Sequence, residues 1–176
     1  QGKQINNFIF VYGFIPARLF NDYQSLVTVF TSMFLHGGFL HLAGNMYFLW
    51  LFGDNVESRL GHFKFLIFYF LCGVFAALAH ALIDTHSVVP VVGASGAISG
   101  ILGAYFILFP RAKIVTSIFF FFKISLPAFL FLGIWFLGQL AAGMDWVTSQ
   151  ESAGNIAFWA HIGGFVAGII LIIFLN

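Results

Sequence analysis

Long apolar runs separated by short polar stretches dominate the chain. Five of them approach the roughly 20 residues that a helix needs to cross about 30 Å of hydrocarbon. In chain order they are span A (Leu40–Phe52), span B (Phe65–Ile83), span C (Gly93–Phe109), span D (Ile124–Ala142) and span E (Ile156–Leu175). Pro90 and Pro110 bracket span C, and Pro127 falls in the first turn of span D, where a helix tolerates proline. The pattern predicts an all-α, polytopic transmembrane helical bundle.

Two stretches lie outside the five spans. Residues 1–38 contain an apolar segment, Ile9–Ile15, that is too short to cross a membrane, so we expect an external loop with interfacial segments there. Ile114–Phe122 is a second short apolar stretch, which we interpret as interfacial or as an inward extension of span D. We predict a single membrane domain over residues 1–176, with its helical core in residues 39–176.

Composition supports a membrane protein. Hydrophobic residues make up 61% of the chain and charged residues 7%, whereas a soluble domain carries roughly 25% charged residues. Mean hydropathy is +1.00. The net charge of +1 shows no basic excess, which argues against a nucleic-acid-binding protein. The partner expected from composition is membrane lipid.

Positive charge divides the loops between the spans into two groups. The A–B connection contains Arg59 and Lys64, and the C–D connection contains Arg111 and Lys113 among its basic residues. The B–C loop (84–92) and the D–E loop (143–154) contain no Lys or Arg. Because cytoplasmic loops are enriched in Lys and Arg, we expect the first two connections inside and the other two, together with residues 1–38, outside.

Two residues with reactive side chains lie within spans C and E. Polar groups are costly in hydrocarbon, so Ser95 and His161 need a physical reason to be there. Gly164 and Gly168 follow His161 by three and seven residues and share its helix face, and glycines flank Ser95. Such spacing is common in ordinary helix packing, but it also lets two helices approach closely enough for a Ser–His hydrogen bond.

These residue types fit acyl-transfer chemistry. A histidine beside a serine can remove the hydroxyl proton and later protonate the leaving amine. Spans C, D and E contain no Asp or Glu at the expected depth, so we predict a Ser95–His161 dyad. His41 and Asn45, four residues apart on one helix face, and the backbone N–H of Ser95 are candidate donors to an oxyanion.

The motifs resemble those of the rhomboid intramembrane serine proteases. They are Gly93-Ala94-Ser95-Gly96, His41-xxx-Asn45 and His161-Ile-Gly-Gly164-Phe-Val-Ala-Gly168. The resemblance extends from about Tyr12 to the C-terminus. It implies that Ser95 is the nucleophile, that His161 is the base, and that His41 and Asn45 stabilise the oxyanion.

The resemblance carries further expectations. The family core has six helices, so we expect the first of them to be missing or truncated in this sequence. Some members place a tyrosine where this chain has Ser99. The implied substrates are single-span membrane proteins cleaved near the outer leaflet, with no metal or organic cofactor. The implied location is the cell membrane, as in a bacterial inner membrane, with a site open to the external or periplasmic side.

Three alternatives use the same residues differently. A transporter or channel with a path lined by His41, Asn45 and His161 would conduct solutes and show no covalent serine chemistry. A haem protein would use His41 and His161 as axial ligands and would absorb visible light. A catalytically inactive relative would act by binding alone.

Overall fold

The chain forms a bundle of helices with one small hairpin. The computed structural model describes residues 2–19, 22, 24–118, 122–149 and 156–176. The helices are α1 (Gly2–Tyr12), α2 (Gln24–Thr31), α3 (Phe39–Phe48), α4 (Asp54–Leu60), α5 (His62–Ile83), α6 (Ser95–Leu108), α7 (Ala128–Ser149) and α8 (Phe158–Leu175). The strands are β1 (Lys113–Ile118) and β2 (Phe122–Pro127). The predicted all-α helical bundle is confirmed.

The helices differ in how well they match the thickness of a membrane. Within the described ranges, α5, residues Ala128–Thr148 of α7, and α8 are each long and apolar enough to cross. A fourth candidate is a pair, Ser25–Phe34 and Phe39–Leu60, bent by 84° at a short break. Helix α6 has 14 residues and is therefore about 21 Å long, shorter than the predicted span C.

Span A continues further than its apolar run. A π-helical turn over Leu49–Gly53 joins α3 to α4 without a break, so the helix runs on to Leu60 through the polar segment after Phe52. Gly61 then stops it, because its φ of 77° lies in the left-handed region that glycine adopts easily. Helix α5 begins at the next residue.

Helix α6 is the buried centre of the bundle and packs against both α5 and α8, which also contact each other directly. Every residue from Gly96 to Tyr105 is buried. This is expected for a helix that has no polar face to expose. A Cβ built at Gly164 would collide with the carbonyl oxygen of Gly96, and one at Gly168 with that of Gly100. Only glycine therefore allows the two backbones to lie this close, which confirms the approach predicted for spans C and E.

The prediction that span D begins at Ile124 is wrong, because the stretch before α7 is not helical. Residues 113–118 and 122–127 pair as an antiparallel hairpin, in which Lys113 lies opposite Pro127. Their β-branched residues favour strand over helix. The residue before a proline also favours extended backbone. Span D therefore begins at Ala128 rather than Ile124, and Pro127 precedes the helix instead of lying in its first turn.

Helix α7 also ends later than predicted. It continues from Ala142 to Ser149 because polar side chains near a helix end can be solvated or bond to the helix itself. The Thr148 hydroxyl donates to the carbonyl oxygens of Met144 and Asp145, at 3.1 Å each. The remainder of the predicted D–E loop, residues 150–154, lies outside the described residues.

Candidate active site

The loop before α6 is held by residues near the N-terminus. Phe14 and Val91 exchange backbone hydrogen bonds of 3.0 and 2.7 Å, forming an isolated bridge. Two residues further on, the Gly93 N–H donates to the Ser32 carbonyl oxygen at 2.9 Å. The region predicted as an external loop therefore fixes the segment that leads directly into Ser95.

Ser95 and His161 meet at the ends of two packed helices. Ser95 is the first residue of α6, and His161 lies in the first turn of α8. The distance between Ser95 Oγ and His161 Nε2 is 2.8 Å, a hydrogen bond. The glycine contacts of α6 with α8 begin at Gly96, directly after Ser95, and at Gly164, three residues after His161, so the close packing of the two helices sets this distance.

A third residue, which sequence reasoning missed, contacts the other ring nitrogen of His161. Gln139 Oε1 of α7 lies 2.7 Å from His161 Nδ1. The prediction of a dyad depended on the absence of Asp and Glu at this depth, but an amide oxygen can also accept a hydrogen bond from the imidazole. The available signal was one amide side chain in an otherwise apolar stretch of span D, four residues after Trp135.

Trp135 lies beside the same imidazole. The centroids of the two rings are 6.2 Å apart, at an angle of 36° between their planes.

Ser99 occupies the position where some family members have tyrosine, and its hydroxyl has a partner within its own helix. Its hydroxyl donates to the Ser95 carbonyl oxygen at 2.7 Å, within α6.

His41 faces Ser95 from α3. Its Nδ1 accepts a hydrogen bond from the Gly37 N–H at 3.3 Å, so in the neutral ring the proton is on Nε2. A Cβ built at Gly93 would lie 2.8 Å from His41 Nε2 and 3.7 Å from Ser95 Oγ. The His41 donor therefore points into the space immediately beside the serine hydroxyl.

Asn45 lies one turn further along α3 and is buried. Its Nδ2 donates to the His41 carbonyl oxygen at 3.0 Å, which orients the amide. An amide nitrogen carries two hydrogens, so a second one is available to a ligand. At the start of α6, the first backbone N–H groups have no partner within the helix, and the N–H of Ser95 is one of them.

One cavity, of about 810 Å³, contains all of these groups. Its lining includes Ser95, His161, His41, Asn45 and Gln139, while most of the remaining wall is apolar. The structure thus brings together every residue predicted for the site, and it adds Gln139 and Trp135.

His36 lies at the edge of this cluster. Its ring is 5.2 Å from the ring of His41, in an edge-to-face arrangement. Burial and the neighbouring His41 lower the pKa of His36, while a hydrogen bond with the Phe34 backbone opposes them. His36 is therefore neutral at neutral pH and adds no positive charge beside His41.

Comparison with known sequences identifies the family. The model of the Rhomboid domain matches residues 23–176, which is most of the chain. The chain belongs to the rhomboid family. It is accordingly a multi-pass membrane protein of a family of intramembrane proteases.

Three relatives illustrate the similarity. Rhomboid protein 1, mitochondrial, of Saccharomyces cerevisiae is 32% identical over 85% of this chain and 42% of its own length. Rhomboid-like protein 11, chloroplastic, of Arabidopsis thaliana is 28% identical over 95% of this chain and 59% of its own. The human presenilin-associated rhomboid-like protein, mitochondrial, is 30% identical over 78% of this chain and 35% of its own. The chain thus spans between about a third and three fifths of the length of these relatives.

Proposed function

We propose that this rhomboid chain is a serine endopeptidase that cleaves transmembrane helices within the membrane. The single observation that supports this most is the 2.8 Å hydrogen bond between Ser95 Oγ and His161 Nε2. It joins a nucleophile to a base in a cavity of mostly apolar lining. This arrangement suits acyl transfer in a site that excludes bulk water.

The proposed reaction has two steps. His161 Nε2 takes the hydroxyl proton as Ser95 Oγ bonds to the carbonyl carbon of the substrate peptide. The intermediate collapses as its C–N bond breaks, and His161 gives the proton to the leaving amine. Water then attacks the acyl-enzyme with His161 again as base, which releases the new carboxylate and restores the serine.

Three donors would stabilise the oxyanion of each intermediate. They are His41 Nε2–H, which lies beside Ser95, the second amide hydrogen of Asn45, whose side chain lines the same cavity, and the backbone N–H of Ser95 itself. Donors fixed in advance in a site of low dielectric need no reorganisation during the reaction. Loss of one typically costs about 3–4 kcal/mol of transition-state stabilisation.

Substrate and orientation follow from the charge pattern and the family. Basic residues cluster in the predicted inner loops, so the site would open on the external side and cut single-span helices near the outer leaflet. Residues 1–176 would act as one domain, since residues of the N-terminal region hold the loop before Ser95.

The membrane in which the protein resides is a separate question. The relatives named above are mitochondrial or chloroplastic by name, and they lend no support to a bacterial inner membrane. That location stays a prediction from the sequence alone.

A serine-directed probe tests the proposal. Detergent-solubilised protein is treated with a fluorophosphonate, alongside the Ser95→Ala and His161→Ala variants. We expect labelling of the wild type, none in Ser95→Ala, and a loss of at least 100-fold in the labelling rate in His161→Ala, since a serine without its base is a poor nucleophile. Labelling that persists in both variants would overturn the protease proposal, because another residue would then be the one that reacts. Absence of labelling in the wild type, together with solute flux in proteoliposomes, would favour the channel alternative.

A further inference from the structure

We propose that Gln139 is a positioning residue, which holds His161 in the tautomer and orientation that lets it act as the base for Ser95. The inference rests on the proposed function and names a member of the machinery that the family motifs do not include. Its evidence is the pair of hydrogen bonds to opposite nitrogens of one ring: 2.8 Å to Ser95 Oγ and 2.7 Å to Gln139 Oε1.

The first step of the argument is the proton count on the imidazole. A neutral imidazole has one nitrogen that donates and one that accepts. To remove a proton from Ser95, Nε2 must be the acceptor, so the ring proton must be on Nδ1. That N–H then needs an acceptor, and the carbonyl oxygen of the Gln139 amide is in position to accept it.

The second step concerns the alternative tautomer. With the proton on Nε2, the ring would lose its capacity to accept from Ser95, and Nδ1 would face the amide oxygen lone pair to lone pair. A flipped amide would present an NH₂ group to Nδ1 and stabilise this inactive tautomer. The two hydrogen bonds are therefore coupled: a carbonyl oxygen facing Nδ1 selects the active form of the base.

The third step is the support that α7 gives to the ring. Trp135 lies one turn before Gln139 and thus on the same face of α7, with its ring beside the imidazole. Trp135 also contacts Phe165 of α8, at 5.9 Å between ring centroids. One helix face thus restricts rotation of the base and supplies its acceptor.

The choice of an amide has a physical reason. A carboxylate in this position would hold the imidazole equally well, but a buried charge in the membrane is costly to maintain. A neutral amide gives the directional acceptor without that cost. It also stays bonded when His161 becomes charged during catalysis, because the Nδ1 proton remains in place throughout.

The experiment compares three substitutions. Gln139→Met keeps the length of the side chain and removes the acceptor, whereas Gln139→Glu keeps a carbonyl oxygen in either protonation state. Thr148→Val is the control, because it removes a polar group from the same helix away from the cavity. For each we measure the fluorophosphonate labelling rate constant, the labelled fraction at completion, and kcat and KM on a single-span substrate.

A positioning role predicts a specific pattern. Gln139→Met should lower the labelling rate constant and kcat by about tenfold, the effect of losing one good hydrogen bond, with KM and the labelled fraction unchanged. Gln139→Glu should recover most of that loss, and Thr148→Val should match the wild type.

Other results would overturn the inference. A Gln139→Met protein that labels at the wild-type rate, or that loses only labelled fraction, would show that Gln139 has no role or only a structural one. Failure of Gln139→Glu to exceed Gln139→Met would also contradict it. In both cases Ser95→Ala would still abolish labelling if the protease proposal is correct, so the two failures are distinguishable.

Discussion

At the scale of single residues, the site contains two histidines that hydrogen bonds commit to opposite tautomers. The backbone N–H of Gly37 donates to Nδ1 of His41, which leaves Nε2 of that ring as a donor. Gln139 accepts from Nδ1 of His161, which leaves Nε2 of that ring as an acceptor. One residue type can thus serve as oxyanion donor and as general base within one cavity, because the partner of the remote nitrogen sets the role.

Gly93 is the residue on which the donor side of the site depends. Its φ of 126° is a conformation that side chains disfavour, and a Cβ there would meet His41 Nε2 at 2.8 Å. We expect Gly93→Ala to displace His41 from the serine and to lower kcat by about 100-fold, the typical effect of losing one oxyanion donor. Cleavage of a single-span substrate in detergent measures the change.

The matched control is Gly138→Ala. A Cβ at Gly138 meets no other atom within 4 Å. This variant should retain wild-type kcat, although it lies next to Gln139. Equal activity of the two variants would contradict the proposed crowding of the oxyanion site.

At the scale of elements, the contact between α6 and α8 sets the position of Ser95 relative to His161. Ser95 and His161 lie at the same end of these two helices, and pairs of glycines further along allow the two backbones to lie in close contact. Close backbone contact in lipid gains van der Waals energy that larger residues would prevent. The same glycines therefore stabilise the bundle and align the site.

Gly168→Ala tests this double role. Its Cβ would collide with the Gly100 carbonyl oxygen, part of a helix backbone that cannot move alone. We expect the free energy of unfolding to fall by about 1–3 kcal/mol, as for other overpacked sites, with a reduced labelling rate at Ser95. Denaturation in mixed detergent micelles measures the stability.

Gly133→Ala on α7 provides the comparison. A Cβ at Gly133 meets no atom within 4 Å, and alanine is a better helix former than glycine by about 1 kcal/mol. Its stability should therefore equal or exceed that of the wild type. A Gly168→Ala protein as stable as Gly133→Ala would show that the α6–α8 contact can separate at little cost.

At the scale of the whole molecule, orientation in the membrane decides from which side water and substrate reach the site. The loop from Asp84 to Ala94 lies at the Ser95 end of the bundle, and the segment around Ser58 lies at the other end of α5. Basic residues cluster near the second segment. The proposed orientation therefore places the loop outside and Ser58 inside.

Cysteine labelling in intact cells tests this orientation. Thr85→Cys should react with a membrane-impermeant maleimide added outside, and Ser58→Cys should react only after the cells are opened. Both positions are exposed, whereas the native Cys72 is buried and should stay unlabelled in the parent protein. Reaction of Ser58→Cys from outside would reverse the proposed orientation.

Pattern alone was sufficient for most helices and insufficient at their borders. Span B agrees with α5 within three residues because its apolar run is long and uninterrupted. Span D was placed four residues early because Ile124 and its neighbours are as apolar as a helix segment, yet they pair across a hairpin. Hydropathy does not distinguish a strand from a helix in so short a run.

In the candidate site, too, some residues could be predicted from the sequence and one could not. Ser95, His161, His41 and Asn45 were predicted from motifs in which reactive side chains occur at helical spacing among glycines. Gln139 was missed because a single amide carries no sequence signal of its partner, 22 residues away. Its relation to the base exists only once α7 packs against α8.

By itself, the sequence determined that the protein lies in a lipid bilayer, that its fold is helical, and which residue types could react. Hydropathy and helical periodicity are local properties that can be read along the chain. Only the tertiary structure decided which groups contact the ring nitrogens of each histidine, how near Ser95 lies to His161, and that an amide from α7 lies against the imidazole of His161. Those properties depend on distances between segments far apart in the chain, and packing alone sets such distances.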